Sequence, residues 1–236
     1  MRVGDPLAEF VVVRMVQIRD FERAPEGAEF FLGTQDRERA GKFRFPEDRM
    51  RFVVGRWLLG RCLAEFAGWV PGPQELTITK AGRPVLAPEL DLHFSLSHSR
   101  DWVAIALARE SRVGVDIEYM APQLEPQALA KRILSAKDFK AFLALPEEQK
   151  LPAFFAAWTT KEACLKAKGV GLGGGLKRIT VPDLEDDGAQ ARRGGALGAG
   201  WMFQRLPVPE NYAGCVVWKA RAKAVNFAVM EWEAQA

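Results

Sequence analysis

The chain has 236 residues, 48% of them hydrophobic and 27% charged. It can therefore bury a core as one large domain or two small ones, and wholesale disorder is excluded. A net charge of +3 is too small to make nucleic acid the default partner, and no apolar run is long enough to span a bilayer.

Asp5 and Glu9 precede a short Val-rich run, which does not resemble a signal peptide. Residues 10–18 (FVVVRMVQI) predict a buried strand. Residues 35–61 then hold eight Arg or Lys against four Asp or Glu. That segment reads either as a solvated helix face or as a set of guanidinium groups able to receive phosphates. Within it, residues 47–66 predict a central, buried helix with two acids in its first turn.

Pro71 and Pro73 break the chain. A strand over 75–79 leads to the turn Ala81-Gly82-Arg83-Pro84, then to His93-Phe94-Ser95-Leu96-Ser97-His98-Ser99. Strands follow at 102–108 and 113–119. Helices are expected at 127–133, 136–145 and 154–167, the last free of proline and stopped by Gly169. Residues 183–200 read as a mobile loop, and strands close the chain at 201–206, 212–218 and 225–232. Strands grouped between helices, without regular βαβ alternation, point to an α+β fold with mostly antiparallel sheets.

Cys62, Cys164 and Cys215 lie far apart and form no CxxC, and the chain has two histidines. A structural zinc site is not expected; three reduced, mostly buried thiols in a cytoplasmic protein are.

In a strand at 113–119, Asp116 and Glu118 share a face about 7 Å apart, opposite Val115 and Ile117. Two neighbouring like charges call for water or for a cation, and hard oxygen ligands suit Mg²⁺. On a wheel of about 100° per residue, Glu162 falls inside an apolar arc with Phe154, Phe155, Trp158 and Leu165. An i,i+4 pair with Lys166 is the plain reading of that acid; a third ligand for the same cation is the alternative. Ser97-His98 is poor geometry for a hydrolase pair, because adjacent extended residues point apart. Residues 169–174 match GxGxxG but follow a helix where the dinucleotide fingerprint follows a strand, so they read as a helix stop and a flexible loop.

Four stretches in order, Gly82-Arg83-Pro84, Phe94-Ser95-Leu96-Ser97-His98-Ser99, Val113-Gly114-Val115-Asp116-Ile117-Glu118 and Trp158-Thr159-Thr160-Lys161-Glu162-Ala163-Cys164-Leu165-Lys166, resemble the 4'-phosphopantetheinyl transferases, and most closely their larger, surfactin-synthetase-activating type. Phe43-Arg44-Phe45-Pro46-Glu47-Asp48 fits as well. The resemblance implies two pseudo-symmetric α/β lobes, residues 1–112 and 113–236, each a small, mostly antiparallel sheet on a long helix. It implies coenzyme A as substrate in the cleft between them, with Mg²⁺ (Mn²⁺ as the alternative ion) on Asp116, Glu118 and Glu162.

By the same matching Arg83 would lie near the adenine, and Ser97 and His98 near the 3'-phosphate and pyrophosphate. Lys161 and Lys166 would be cofactor-binding lysines, with Arg39 and Arg51 as further phosphate-binding bases. One departure stands out: Asp36 occupies a family lysine position, with Arg37 as its substitute. The implied reaction moves the phosphopantetheine arm to a serine of an acyl or peptidyl carrier protein and releases 3',5'-ADP. Asp116, Glu162 and Lys166 would be catalytic, Glu162 accepting the serine proton. The chain would act as a monomer, without nucleic acid or membrane. The competing readings are another Mg²⁺-dependent phosphate-ester enzyme and a non-catalytic coenzyme A or carrier-binding module.

Overall fold

The computed structural model describes residues 7, 9–18, 28–69, 76–79, 83–170, 175–181, 192–193, 198–219 and 221–230. The first strand, β1 (Phe10–Gln17), is apolar on both faces, as its run of valines requires. Val12 and Val16 pack on one side, and Val11, Val13 and Met15 on the other. After the polar helix α1 (Thr34–Gly41) comes the buried 22-residue α2 (Pro46–Ala67). Pro46 fits its first turn, where an N–H would have no intrahelical acceptor, and Glu47 and Asp48 face the positive end of the dipole. Gly68 closes the helix at φ 69°, in the left-handed region.

The strand expected at 75–79 is reduced to β2 (Thr77–Ile78), paired with β3 (Pro84–Val85). Pro71, Pro73, Glu75, Ala81 and Gly82 lie outside the described residues. β4 (Leu92–Ser99) and β5 (Trp102–Arg109) form a hairpin in register from Leu92↔Arg109 to Ser99↔Trp102. β6 (Val113–Tyr119) follows, then α3 (Pro126–Ile133), α4 (Ala136–Ala144) and α5 (Glu147–Lys168).

α5 begins at Glu147, ahead of the proline-free run, and carries Pro152 inside it. A proline so near the start removes one backbone bond and leaves the rest of the helix intact. Gly169, at φ 72°, ends it as expected. β7 (Arg192–Arg193), β8 (Trp201–Arg205), β9 (Tyr212–Lys219) and β10 (Ala224–Met230) complete the chain. Trp232, residues 171–174 and most of the expected loop at 183–200 fall outside the described residues.

Two four-stranded sheets result, with orders β10-β1-β5-β4 and β6-β9-β8-β7. All described pairings are antiparallel except one: the last strand lies parallel to the first, from Phe10↔Ala224 to Val16↔Met230. The chain thus returns at its last described strand to complete the sheet it began. Local pattern could place a strand at 224–230 but not choose its partner edge.

α2 covers the outer face of the first sheet through Val54, Leu58 and Leu59 against Val103, Ile105 and Leu107. The inner faces of the two sheets meet where Val11, Val13 and Ala104 pack with Val115, Ile117 and Val216. On the far side, Ala163, Cys164 and Ala167 of α5 pack with Cys215, Val217 and Phe203. All three cysteines are buried and free.

α5 crosses β6 at Gly114. A Cβ built there would collide with the carbonyl oxygen of Ala163 and the amide nitrogen of Ala167, both backbone atoms that no rotamer change can move. Gly114→Ala should therefore lower stability by about 3 kcal/mol. Denaturant melts would show it; a midpoint within error of wild type would mean the helix is not seated on this glycine.

Candidate active site

β4 is the open edge of the first sheet and β6 the open edge of the second. They run side by side in the same direction, joined by serine side chains in place of a backbone ladder. The Val115 N–H donates to Ser95 Oγ (3.1 Å), the Ile117 N–H to Ser97 Oγ (3.3 Å) and the Tyr119 N–H to Ser99 Oγ (3.0 Å). Two of these hydroxyls then donate to the carboxylates between those amides. Ser97 Oγ donates to Asp116 Oδ1 at 2.8 Å, and Ser99 Oγ to Glu118 Oε2 at 2.9 Å.

Seated on Gly114, α5 brings Glu162 and Lys166 to the same place. The Lys166 ammonium donates to Asp116 Oδ1 (2.7 Å), Ser97 Oγ (3.0 Å) and the Val115 carbonyl (3.1 Å). Its three protons are thus spent across the junction, and it forms no surface pair with Glu162 one turn earlier. Trp158, another turn back, lies near enough to Glu118 to favour its charged form. Asp116 is buried, while Glu118, Glu162 and Lys166 are half-buried.

Three acids so close disturb one another. Burial, with Asp116 and Glu118 adding to it and Lys166 opposing, pushes the Glu162 carboxyl up to about 7. Burial and the Asp116 charge also raise Glu118, against the bond from Ser99 and the nearby Trp158. Asp116 Oδ2 and Glu162 Oε1 are buried without a hydrogen-bond partner. Unpartnered carboxylate oxygens under mutual repulsion suit a hard divalent cation. Among the described residues, no group of three or more His, Cys, Asp or Glu side chains is placed to hold a metal ion by itself.

Beside the acids lies a basic cleft of about 250 Å³, lined by Arg39, Arg51, Arg56, Ser97 and His98 with Phe43, Phe52 and Pro84. The arginines expected to receive phosphates thus reach one surface with Ser97 and His98. Desolvation, then the cations of Arg51 and Lys166, hold the His98 imidazole below the usual histidine range. Arg51 is braced by Asp48 (2.5 Å) and by the Arg100 carbonyl (2.7 Å).

Other expected residues are placed elsewhere. Arg83 donates to the carbonyls of Phe94 (2.7 Å), Val113 (3.3 Å) and Lys166, tying β4, β6 and α5 together. Its side chain lines a separate cavity of about 450 Å³ with Arg112 and Lys168, so only its neighbour Pro84 reaches the basic cleft. Lys161 is wholly buried and donates to the carbonyls of Leu176 (3.0 Å) and Ile179, 3.8 Å from Asp138. It holds Leu176 and Ile179 against α5. Burial pushes it down to about 8, against the pull of Asp138. Asp36 makes a two-pronged pair with buried Arg56 (2.7 and 3.2 Å), and Arg37 donates to the Leu32 carbonyl. Neither Asp36 nor Arg37 lines the cleft.

Arg56, Ser99 and Trp158 were missed in the sequence. An arginine in an otherwise apolar helix was the available signal for Arg56. The alternation Ser95, Ser97, Ser99 was the signal for Ser99. Trp158 opens the stretch that carries the resemblance but reads by pattern as a core aromatic.

Comparison with known proteins follows the same lines. A model of the 4'-phosphopantetheinyl transferase superfamily matches residues 112–217, and a model of the N-terminal part of 4'-phosphopantetheinyl transferases matches residues 23–110. The chain is 38% identical over 144 residues to the 4'-phosphopantetheinyl transferase HetI of Nostoc sp., covering 60% of this chain and 61% of HetI. It is 32% identical over 188 residues to the 4'-phosphopantetheinyl transferase psf-1 of Bacillus pumilus, covering 79% of this chain and 72% of that protein. A 4'-phosphopantetheinyl transferase of Bacillus subtilis is 30% identical over 157 residues, covering 66% and 68%. The match to HetI thus spans about three fifths of that relative's length.

The raised acids give a pH signature. Glu162 and Glu118 hold protons more tightly in the folded than in the unfolded chain, so stability falls as pH rises from the ordinary carboxylate range through about 7. In EDTA, thermal melts of wild type should lose ground to Glu162→Gln between pH 5 and 7.5, and Mg²⁺ should restore wild type alone. Parallel pH profiles for the two proteins would count against the crowding of acids.

Proposed function

The chain belongs to the 4'-phosphopantetheinyl transferase family, and we propose that it transfers the phosphopantetheine arm of coenzyme A to a serine of an acyl or peptidyl carrier protein. The observation that carries this reading is the convergence of Asp116 and Glu118 of β6 with Glu162 and Lys166 of α5, beside a cleft lined by Arg39, Arg51, Arg56 and His98. A diphosphate needs cations at both ends and a nucleophile needs a base, and this junction offers both.

In the proposed reaction the carrier serine oxygen bonds to the β-phosphorus of coenzyme A. The bond to the bridging oxygen breaks, and 3',5'-ADP leaves with those electrons. Arg39, Arg51 and His98 receive the phosphates of the nucleotide. Lys166 balances the charge on the transferring phosphoryl group. Glu162 accepts the serine proton. Asp116, Glu118 and Glu162 are the residues that would hold Mg²⁺ or Mn²⁺, whose chemistry is to neutralise phosphate charge.

We read the architecture as the larger, two-lobed type. Two 22-residue helices, each on a four-stranded sheet, and two family models in tandem support pseudo-symmetric lobes. No described helix is long and apolar enough to cross a membrane. Cytoplasmic location, in which the buried free thiols stay reduced, and action as a monomer belong to the same proposal.

Incubation with apo carrier proteins, coenzyme A and Mg²⁺ should add one phosphopantetheine mass per carrier, read by mass spectrometry. No gain on several unrelated carriers would overturn the proposal, and turnover of coenzyme A without a carrier would favour a phosphate-ester hydrolase. Asp116→Ala and Glu162→Gln should each lower kcat/KM by about 10²–10⁴-fold without loss of fold. Lys161→Met should instead lower stability by about 3 kcal/mol and leave the KM for coenzyme A unchanged. A raised KM would return Lys161 to the substrate site.

A further inference from the structure

We infer that Ser99 is a positioning residue for Glu118, and that the serines of β4 make the geometry of the acid cluster depend on the junction between the two sheets. The inference rests on the reading of Asp116, Glu118 and Glu162 as the cation site. Each serine accepts one β6 amide, and the offset is constant: Ser95 takes Val115, Ser97 takes Ile117 and Ser99 takes Tyr119. Two of the three also donate to the residue just before that amide, Ser97 to Asp116 and Ser99 to Glu118. The same small unit, a hydroxyl that accepts from a backbone N–H and donates to the preceding carboxylate, is therefore built twice in succession.

The third copy is incomplete for a simple reason. The residue preceding Val115 is Gly114, which has no carboxylate to hold, so Ser95 fastens β6 without orienting an acid. The protein thus contains its own control. Ser95 and Ser99 make the same backbone contact on the same pair of strands and differ in whether an acid depends on them.

A carboxylate on a strand end has free rotation about its side-chain bonds. Ser99 donates to one oxygen of Glu118 at 2.9 Å and accepts from the next amide, so the carboxylate is tied to β4 and held relative to Asp116 on the same strand. Outer partners of this kind orient a ligand and leave its other lone pairs for the ion, and their loss typically lowers metal affinity or activity by about 10–100-fold.

The test uses the full chain and Mn²⁺ as probe, followed by electron paramagnetic resonance and by calorimetry without coenzyme A. Wild type should bind Mn²⁺ and Asp116→Ala should not. Ser99→Ala should raise the Mn²⁺ dissociation constant about tenfold and raise the Mg²⁺ concentration for half-maximal transfer in parallel, with Ser99→Thr restoring both. Ser95→Ala should lower the melting temperature by a few degrees, as loss of an amide acceptor requires, and leave both metal measurements at wild-type values. A Mn²⁺ affinity unchanged in Ser99→Ala, or lowered equally in Ser95→Ala, would overturn the positioning role while leaving the cation site in place. A wild type that binds no Mn²⁺ in either the presence or absence of coenzyme A would overturn the cation site itself, and this inference with it.

Discussion

Everything at the site depends on how two sheet edges meet. β4 and β6 are both open edges, and open edges invite backbone pairing. Here each link runs through a serine Oγ in place of a backbone carbonyl. The same hydroxyls hold Asp116, Glu118 and Lys166 at the seam. The seam is not loose: Ser97 donates once and accepts twice, which uses the full capacity of a hydroxyl.

Packing above and below the seam keeps that arrangement. Arg83 draws the carbonyls of Phe94, Val113 and Lys166 together from three elements, and the bare backbone of Gly114 lets α5 lie directly on β6. The Arg100 guanidinium stacks on the Tyr119 ring at 3.8 Å, closing the same seam at its other end. Against this stands a concentrated cost. Asp116 Oδ2 and Glu162 Oε1 are buried and unpartnered, a concession on the order of 1–3 kcal/mol each. Side chains selected for stability alone would not sit this way, and the concession lies where phosphate chemistry has use for it.

Much of this was legible in the chain. The valine run of β1, the acids opening α2 and the glycine stop of α5 are local signals, and each element formed where its signal lay. Asp116 and Glu118 share a face because a strand alternates, and Glu162 was conspicuous as an acid in an apolar arc. Other residues could not be assigned by pattern. Lys161 and Lys166 are both lysines on one helix, separated by five positions and therefore by a wide angle. One faces Leu176 and Ile179, the other Asp116, and composition does not say which. Arg83 and Arg56 escaped placement by pattern for the same reason: an arginine's partners are set by what folds against it.

The sequence by itself determined the elements, the α+β class and the acids to watch, because these follow from periodicity of two and 3.6 and from residue chemistry. Tertiary structure decided the partners. It placed β10 beside β1, turned Lys166 from Glu162 to Asp116, and made three alternating serines into the seam between sheets. The physical reason is range. A propensity acts within a few residues, whereas the contacts that build this site join positions 19 to 69 residues apart, and their geometry exists only once both sheets and α5 are packed.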